Sequence, residues 1–399
     1  MKVCVVVLNS IWYDPRVRKQ IKEYLAQGVE VVCVGVKCNR YNKSKVSEIP
    51  CKTVIVDSMS KKPVPELKIF RQCRALFNIW AVRKAVCRAI IAEEPDVIHA
   101  NDLDALIPAY KAARKLNCKL IYDSHEVYVE NIYFRRRRWY ALYLKRKEKH
   151  ICQKVDKMVC VSHAAAEYFS KLYKIEMPTV ITNSTLKSEQ YVTEESLFLV
   201  PKNEGFEILN HGQFYSGRGY DIMAESMPLF KEYPEIKLAL RGMGSMEQEL
   251  RKRVEELKEQ YKLDNFRFYP PVDVSQLIES ASHSKVGVAI TEPICLNFEL
   301  SVSNKLFEYA AAGLPVIMSD IPEHRYLNEK YHFGIIIEEN TPQKFAEAVL
   351  KLYKDSQFYR ECAINAVKMS NEINWESQFS ELIEFERKIC MFNRNRTVD

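Results

Sequence analysis

Short apolar runs alternate with helix-patterned segments along almost the whole chain, and the pattern runs through twice. Lys2 to Leu8 is the first run, Pro15 to Gln27 has helical spacing and stops at Gly28, and Glu30 to Val36 is the next run. Further runs lie at Thr53 to Asp57, Asp96 to Ala100, Lys119 to Asp123 and Lys157 to Ser162. The alternation restarts with runs at Glu207 to Gly212, Lys237 to Arg241, Asn265 to Tyr269 and Lys285 to Ala289, separated by helical patterns at Tyr220 to Glu232, Met246 to Tyr261 and Val274 to Ser282. Val316 to Met318 and Gly334 to Ile337 complete it. Strands that are apolar along their whole length are buried on both faces, and helices between them make parallel crossovers. The expected class is therefore α/β, with two doubly wound parallel sheets. Val180 to Gly205, with Asn183, Pro201 and several charges, reads as the boundary, giving domains at 1–190 and 200–375. The amphipathic stretch from Trp375 onward, as a helix at about 376–399, is expected to pack back on the first domain.

At 399 residues there is material for two cores of ordinary size. A hydrophobic content of 47% with 28% charged residues is that of a globular chain, and no apolar run approaches the ~18 residues of a membrane span. The opening MKVCVVVLNS reads as a buried strand rather than a signal peptide. Twelve cysteines are scattered without a Cys-x-x-Cys pair, which points to a reducing, cytoplasmic setting with neither a zinc site nor a disulfide frame. The net charge of +7 hides an asymmetry: residues 1–150 hold 30 Lys and Arg against 15 Asp and Glu, the remainder 29 against 37. The first half is thus the surface for an anionic partner, whether nucleic acid, lipid headgroup or phosphorylated substrate.

Ligands of open parallel sheets sit beyond the carboxyl ends of the strands, so the loops there carry the candidate residues. In SNKLFEYAAAGLPVIM (Ser303 to Met318), a helix is stopped by Gly313 and Pro315 and followed by a buried strand. Asn304 and Glu308 share a face of that helix, where a carboxylate suits the two hydroxyls of a ribose and the free amides of the first turn suit phosphate oxygens. Standing alone, such a glutamate is more often merely solvated. Gly212 to Gly219 follows a strand and opens a helix, so that Gly217 lets backbone approach a diphosphate and Arg218 neutralises it; a plain turn is the competing reading. No Gly-x-Gly-x-x-Gly follows the first strand, which argues against a nicotinamide-dependent dehydrogenase. His125 ends a strand between Asp123 and Glu126, where it can bond a sugar hydroxyl; His99 and Asp102, and Asp14 with Arg16 and Arg18, hold equivalent places. The run Arg135 to Arg138, followed by Trp139 and an aromatic, basic helix, suits an anionic membrane interface. The alternative is a solvated basic helix with its aromatics turned inward. RNA is disfavoured because no recognition module accompanies the charge.

Taken together, the chain resembles glycosyltransferase family 4, retaining nucleotide-sugar transferases of GT-B architecture. The resemblance rests on Asp14-Pro-Arg16, Pro95 to Asp102, Tyr122 to Glu126, Val161-Ser162, Val180 to Asn183, Gly212 to Gly219, Arg241 to Gly244 and Asn304 to Pro315. It implies two Rossmann-like domains facing each other across a cleft. It also implies a donor site of Gly217, Arg218, Arg241, Gly242, Pro271, Val272, Ser303, Asn304, Lys305 and Glu308, with Pro271 and Val272 edging the base. His125 and Asp102 would be catalytic, beside the transferred sugar, and Asp14 and Arg16 would meet the acceptor. The implied substrates are a nucleotide sugar and a glycan or lipid-linked acceptor, with no metal or other cofactor and no nucleic acid, on the inner face of the membrane. A sugar-nucleotide epimerase of similar fold and a catalytically silent binding relative are the alternatives. The chain departs from the family pattern at Leu300, eight before Glu308, where a second glutamate is common, and at Gln213, where many members carry arginine. The glycine pair common after strand one is replaced by Ile11 to Asp14.

Overall fold

The computed structural model describes residues 1–9, 11–38, 42–57 and 68–396. The chain forms two compact units, Met1–Ile181 together with the stretch from Gln378, and Thr182–Ser377. The first carries a seven-stranded sheet of β1 (Lys2–Val6), β2 (Glu30–Lys37), β3 (Lys52–Asp57), β4 (Val97–Asn101), β5 (Lys119–Ser124), β6 (Lys157–Cys160) and β7 (Thr179–Val180), in the order β3-β2-β1-β4-β5-β6-β7. The second carries β8 (Phe206–Gln213), β9 (Ile236–Met243), β10 (Phe266–Tyr269), β11 (Val286–Ala289), β12 (Val316–Ser319) and β13 (Gly334–Ile337), in the order β10-β9-β8-β11-β12-β13. Each of these neighbouring pairs is parallel. In both sheets the winding reverses beside the first strand, between β1 and β4 and between β8 and β11, and a crevice opens at the carboxyl ends there.

The strands form because their residues are apolar on both faces: Val3 to Val6 are fully buried, as are Leu238 and Leu240 in β9 and Val288 in β11. The expected Tyr220 to Glu232 helix is instead an α-helix at Tyr220–Ser226 followed by a 3-10 turn at Met227–Phe230, because Pro228 has no N–H to continue the ladder. Val274 to Ser282 likewise opens as a 3-10 turn before the helix Leu277–Ser282. Thr179–Val180, placed at the edge of the boundary segment from sequence, adds to the first sheet as β7; a two-residue edge strand has no periodicity to read. A short helix, Leu296–Leu300, lies in the loop after β11.

The helix Trp375–Arg396 lies against the first unit from Gln378 onward. Phe379 meets Tyr24 edge-on at 5.1 Å, and the Tyr24 hydroxyl donates to the buried Glu386 carboxylate at 2.7 Å.

Candidate functional site

In the second unit, Asn210 and His211, both buried, lie near the carboxyl end of β8, which Gly212 and Gln213 complete. The Asn210 side-chain amide donates to the Val288 carbonyl at 3.0 Å, which turns its Oδ1 to receive Lys305 Nζ at 3.4 Å. The Lys305 side chain runs across Gly212, where a Cβ would come within 3.3 Å of its Cε. Burial, reinforced by the neighbouring Arg218 charge and opposed by Glu308, lowers the Lys305 pKa to about 7. Lys305 belongs to the first turn of the helix Asn304–Ala311, which opens after Ser303 and whose first N–H groups have no intrahelical acceptor. One turn on, Glu308 is 25% exposed and its Oε2 lies 2.7 Å from His211 Nε2. The His211 ring lies 4.5 Å from that of Tyr309, whose hydroxyl accepts from His211 N and donates to the Leu209 carbonyl.

Arg218 stands over the rings of Tyr215 and Phe298, at 5.0 and 4.9 Å, and donates to the Tyr215 hydroxyl at 2.7 Å. Its loop is fastened by Glu292, which accepts from Gly219 N and donates its own N–H to the Gly217 carbonyl. Gly217 leaves room for Ile294 and Phe298, which a Cβ would approach to 2.9 and 3.0 Å. Arg241 is level with His211 on the next strand and with Tyr269 beyond it. Its guanidinium is buried 5.0 Å over Tyr269, burial lowers its pKa, and Nε and Nη1 have no partner among the described residues. Gly242 follows with φ +150°, and a Cβ there would stand 1.8 Å from the Gly212 carbonyl oxygen, so the close approach of these strand ends requires glycine. Pro271 is exposed and Val272 half-buried in the loop after β10. This end of the sheet gathers cationic groups, open amides and one braced carboxylate, a donor set for a polyanion that also carries hydroxyls.

In the first unit the carboxyl ends of β1, β4 and β5 enclose a polar network. Arg16 Nε and Nη2 both donate to the Asp123 carboxylate at 2.9 Å. The Gln20 amide donates to Asn101 Oδ1 at 2.8 Å and to Asp123 at 2.7 Å. Asn101 Nδ2 points to the Val6 carbonyl, which fixes Oδ1 toward His125 Nε2, 2.8 Å away; Nε2 therefore carries the proton. His125 N donates to Asp102 Oδ1 at 3.0 Å, and its Nδ1 lies 3.5 Å from Oδ2. Asp102 adopts φ +65°, a left-handed conformation unusual for a residue with a Cβ, held by this bond at the mouth of the sheet. Burial, with Asp104 and Glu126 nearby, raises the Asp102 pKa, and burial lowers that of His125, so both drift toward their neutral forms. Burial works against the Asp123 charge, but Arg16, His99 and His125 outweigh it and its pKa is lowered. His99, wholly buried, bonds the Tyr24 hydroxyl through Nδ1 at 2.8 Å.

His125 and Asp102 are thus together, and Arg218, Lys305 and Glu308 are together within the other unit. Arg16 is only 3% exposed and is turned onto Asp123 instead of outward to an acceptor, because the buried carboxylate would otherwise be unpaired. Asp14 caps the helix Pro15–Ala26 through Val17 N and accepts from Asn9. Arg135 to Arg138 are exposed, and the aromatics of the helix Arg138–Cys152 do not all turn inward: Trp139 is 70% and Tyr143 46% exposed, while Leu144 is buried. The residues missed from sequence are Asn210, His211, Gln20, Tyr24 and Glu386. A polar pair near the carboxyl end of an otherwise apolar strand, Asn210-His211, was the available signal; Gln20 and Tyr24 look like ordinary helix residues. Among the described residues, no cluster of three or more His, Cys, Asp or Glu side chains is placed to hold a metal ion.

Comparison with known proteins accounts for both halves of the chain. The family model described as Glycosyltransferase Family 4 matches residues 16–184, and that described as Glycosyl transferases group 1 matches residues 192–369. A solved glycosyltransferase from Rickettsia africae ESF-5 superposes with a TM-score of 0.73 over 97% of this chain and 98% of its own, at 18% identity. Anabaena HepE in complex with UDP does so with a TM-score of 0.73 over 97% and 100%, at 14% identity. Such identities show a shared fold. Sucrose-phosphate synthase 1 of Arabidopsis thaliana is 31% identical over 107 residues, which are 26% of this chain and span only 9% of that protein. With both halves matched and the two-sheet architecture shared, the chain belongs to the family 4-type glycosyltransferases and has the GT-B fold.

Proposed function

We propose that the protein is a retaining glycosyltransferase that moves a sugar from a nucleoside diphosphate to a glycan or lipid-linked acceptor, in the synthesis of cell-surface polysaccharide or lipid-linked glycan. The observation that carries this reading is the grouping of Arg218, Lys305, the opening amides at Ser303 and Asn304, and Glu308 at one strand end. The cations and amides receive the diphosphate, Glu308 the ribose hydroxyls, and Arg241 over Tyr269 the side toward Pro271 and Val272, where the base is edged. The complex of HepE with UDP supports a nucleoside diphosphate as the ligand class. In the transfer, the bond from the anomeric carbon to the diphosphate oxygen breaks and the bond to the acceptor oxygen forms on the same face. The acceptor's hydroxyl proton passes to the departing diphosphate. No side-chain nucleophile is needed, and this chain's part is positioning and charge stabilisation. The diphosphate charge falls to Arg218, Lys305 and the amides, so the reading calls for no metal. His125, oriented by the bond from its Nε2 to Asn101, and Asp102 address the transferred sugar. Asp14 belongs to the acceptor side, and Arg16 acts behind it by holding Asp123.

The exposed Trp139, Leu142 and Tyr143, set among Arg135 to Arg138, Arg146 and Lys147, support a peripheral position on the anionic inner face of a membrane, where a lipid-linked acceptor is met. Among the described residues no helix is long and apolar enough to cross a membrane. Exposed Phe77 and Trp80, 5.8 Å apart on the helix Lys68–Glu93, add aromatic surface in the same unit.

Incubation with UDP-, GDP- and ADP-sugars and a membrane extract tests the reading. Nucleoside diphosphate release that requires the extract is expected; turnover of the donor without acceptor would mean an epimerase, and neither binding nor turnover would overturn the assignment.

A further inference from the structure

We infer that His211 is a positioning residue which sets the Glu308 carboxylate for a ribose diol and so gives the site its preference for ribonucleotides. The inference rests on the nucleotide reading above and concerns how that pocket distinguishes one sugar from another. His211 lies near the carboxyl end of β8 and is buried, with its ring against Tyr309 and its backbone N–H on the Tyr309 hydroxyl, so both ring plane and strand backbone are fixed by one aromatic residue. That hydroxyl in turn donates to the Leu209 carbonyl two residues back, which ties the helix Asn304–Ala311 to β8. From this fixed base Nε2 reaches Glu308 Oε2 at 2.7 Å, whereas Nδ1 is buried with no partner among the described residues. A neutral ring in this setting carries its proton on Nε2, where a carboxylate accepts it, and leaves Nδ1 bare.

The consequence concerns Glu308. A partly exposed glutamate samples several rotamers, and ordering it on binding costs side-chain entropy. With Oε2 held by an imidazole that is itself held, the carboxylate plane is set before a ligand arrives, and the diol donates to a preorganised acceptor. The phosphate-binding groups, Arg218 and Lys305, do not share this bond. Loss of His211 should therefore be felt by the ribose and not by the diphosphate.

The test measures, by calorimetry, the affinities of UDP, GDP and ADP, of their 2′,3′-dideoxy counterparts and of inorganic pyrophosphate, for wild type, His211→Leu, His211→Gln and His211→Asn. Wild type should prefer the ribonucleotide by about tenfold or more, the difference equivalent to about 1.4 kcal/mol. His211→Leu should bring that preference close to one while pyrophosphate affinity stays within about twofold, and His211→Gln, which can still donate to Glu308, should restore most of it. His211→Asn, polar but too short to reach, should behave as Leu and serves if the Leu variant does not fold. A preference kept in both Leu and Asn variants overturns the inference, as does a parallel loss of pyrophosphate binding, which would make His211 merely structural. If wild type binds none of the nucleotides, it is the nucleotide reading that fails.

Discussion

Lys305 is the residue whose chemistry can be followed most directly. Its pKa is lowered to about 7, mainly by burial, against an ordinary 10.5. The unfolded chain therefore holds the proton across the window from about 7 to 10.5 while the folded one releases it, and the Lys305 contribution to stability rises with pH through that window. A diphosphate bound there, as proposed, would reverse the balance by favouring the ammonium form. Above pH 7 binding should take up a proton, close to one per site at pH 8, and affinity should fall by up to about tenfold per pH unit. Calorimetry in two buffers of different ionisation enthalpy checks this. A buffer-dependent enthalpy is expected for wild type and a buffer-independent one for Lys305→Met; buffer independence in wild type would contradict it. Neither this environment nor the His211 brace is written locally: Glu308 and His211 lie 97 positions apart, and their meeting depends on how β8 and the helix Asn304–Ala311 come together. What the sequence does display is residue type at strand ends, which is why Arg218, Lys305 and Glu308 were legible and His211, one position before its glycine, was not.

At the scale of elements, the long strands and their helices were legible because a parallel strand buried on both faces is an unbroken apolar run. The failures have local causes: Pro228 splits one helix, and the two-residue β7 is too short to pattern. The C-terminal helix shows what amphipathic spacing leaves out. Its docking on the first unit is not only apolar, since Glu386 reaches Tyr24 across 362 positions and lies 3.8 Å from His99. Burial works to lower the His99 pKa, but the nearby Asp123 and Glu386 carboxylates prevail and raise it, so Glu386 favours the protonated form of a buried imidazole. Glu386→Leu should lower the stability of the protein by about 3 kcal/mol, as expected for one partner removed from a buried ionic cluster, and Glu386→Gln, which still accepts from Tyr24, by about 1 kcal/mol. Urea unfolding measures both; equal and small losses would show that the helix is held by its apolar face alone.

For the whole molecule, the charge division seen in the sequence becomes a division of surfaces. The first 150 residues carry the excess of Lys and Arg, and the exposed Arg135 to Arg138 stand beside the exposed Trp139. If that surface meets anionic lipid, replacing the four arginines by glutamine should reduce co-sedimentation with phosphatidylglycerol vesicles by about tenfold or more, since each basic residue near such a surface contributes about 1 kcal/mol. Turnover with a water-soluble acceptor should not change. Equal loss of both would mean that the segment supports the fold instead. The proposed nucleotide pocket belongs to the other unit, and the proposed function depends on it before anything else. The decisive measurement is the calorimetric affinity of UDP, GDP and ADP for wild type and for Glu308→Ala. The account predicts that wild type binds at least one of them and that Glu308→Ala weakens that ligand by more than about tenfold, some 1.4 kcal/mol; unchanged affinity in the variant would contradict it.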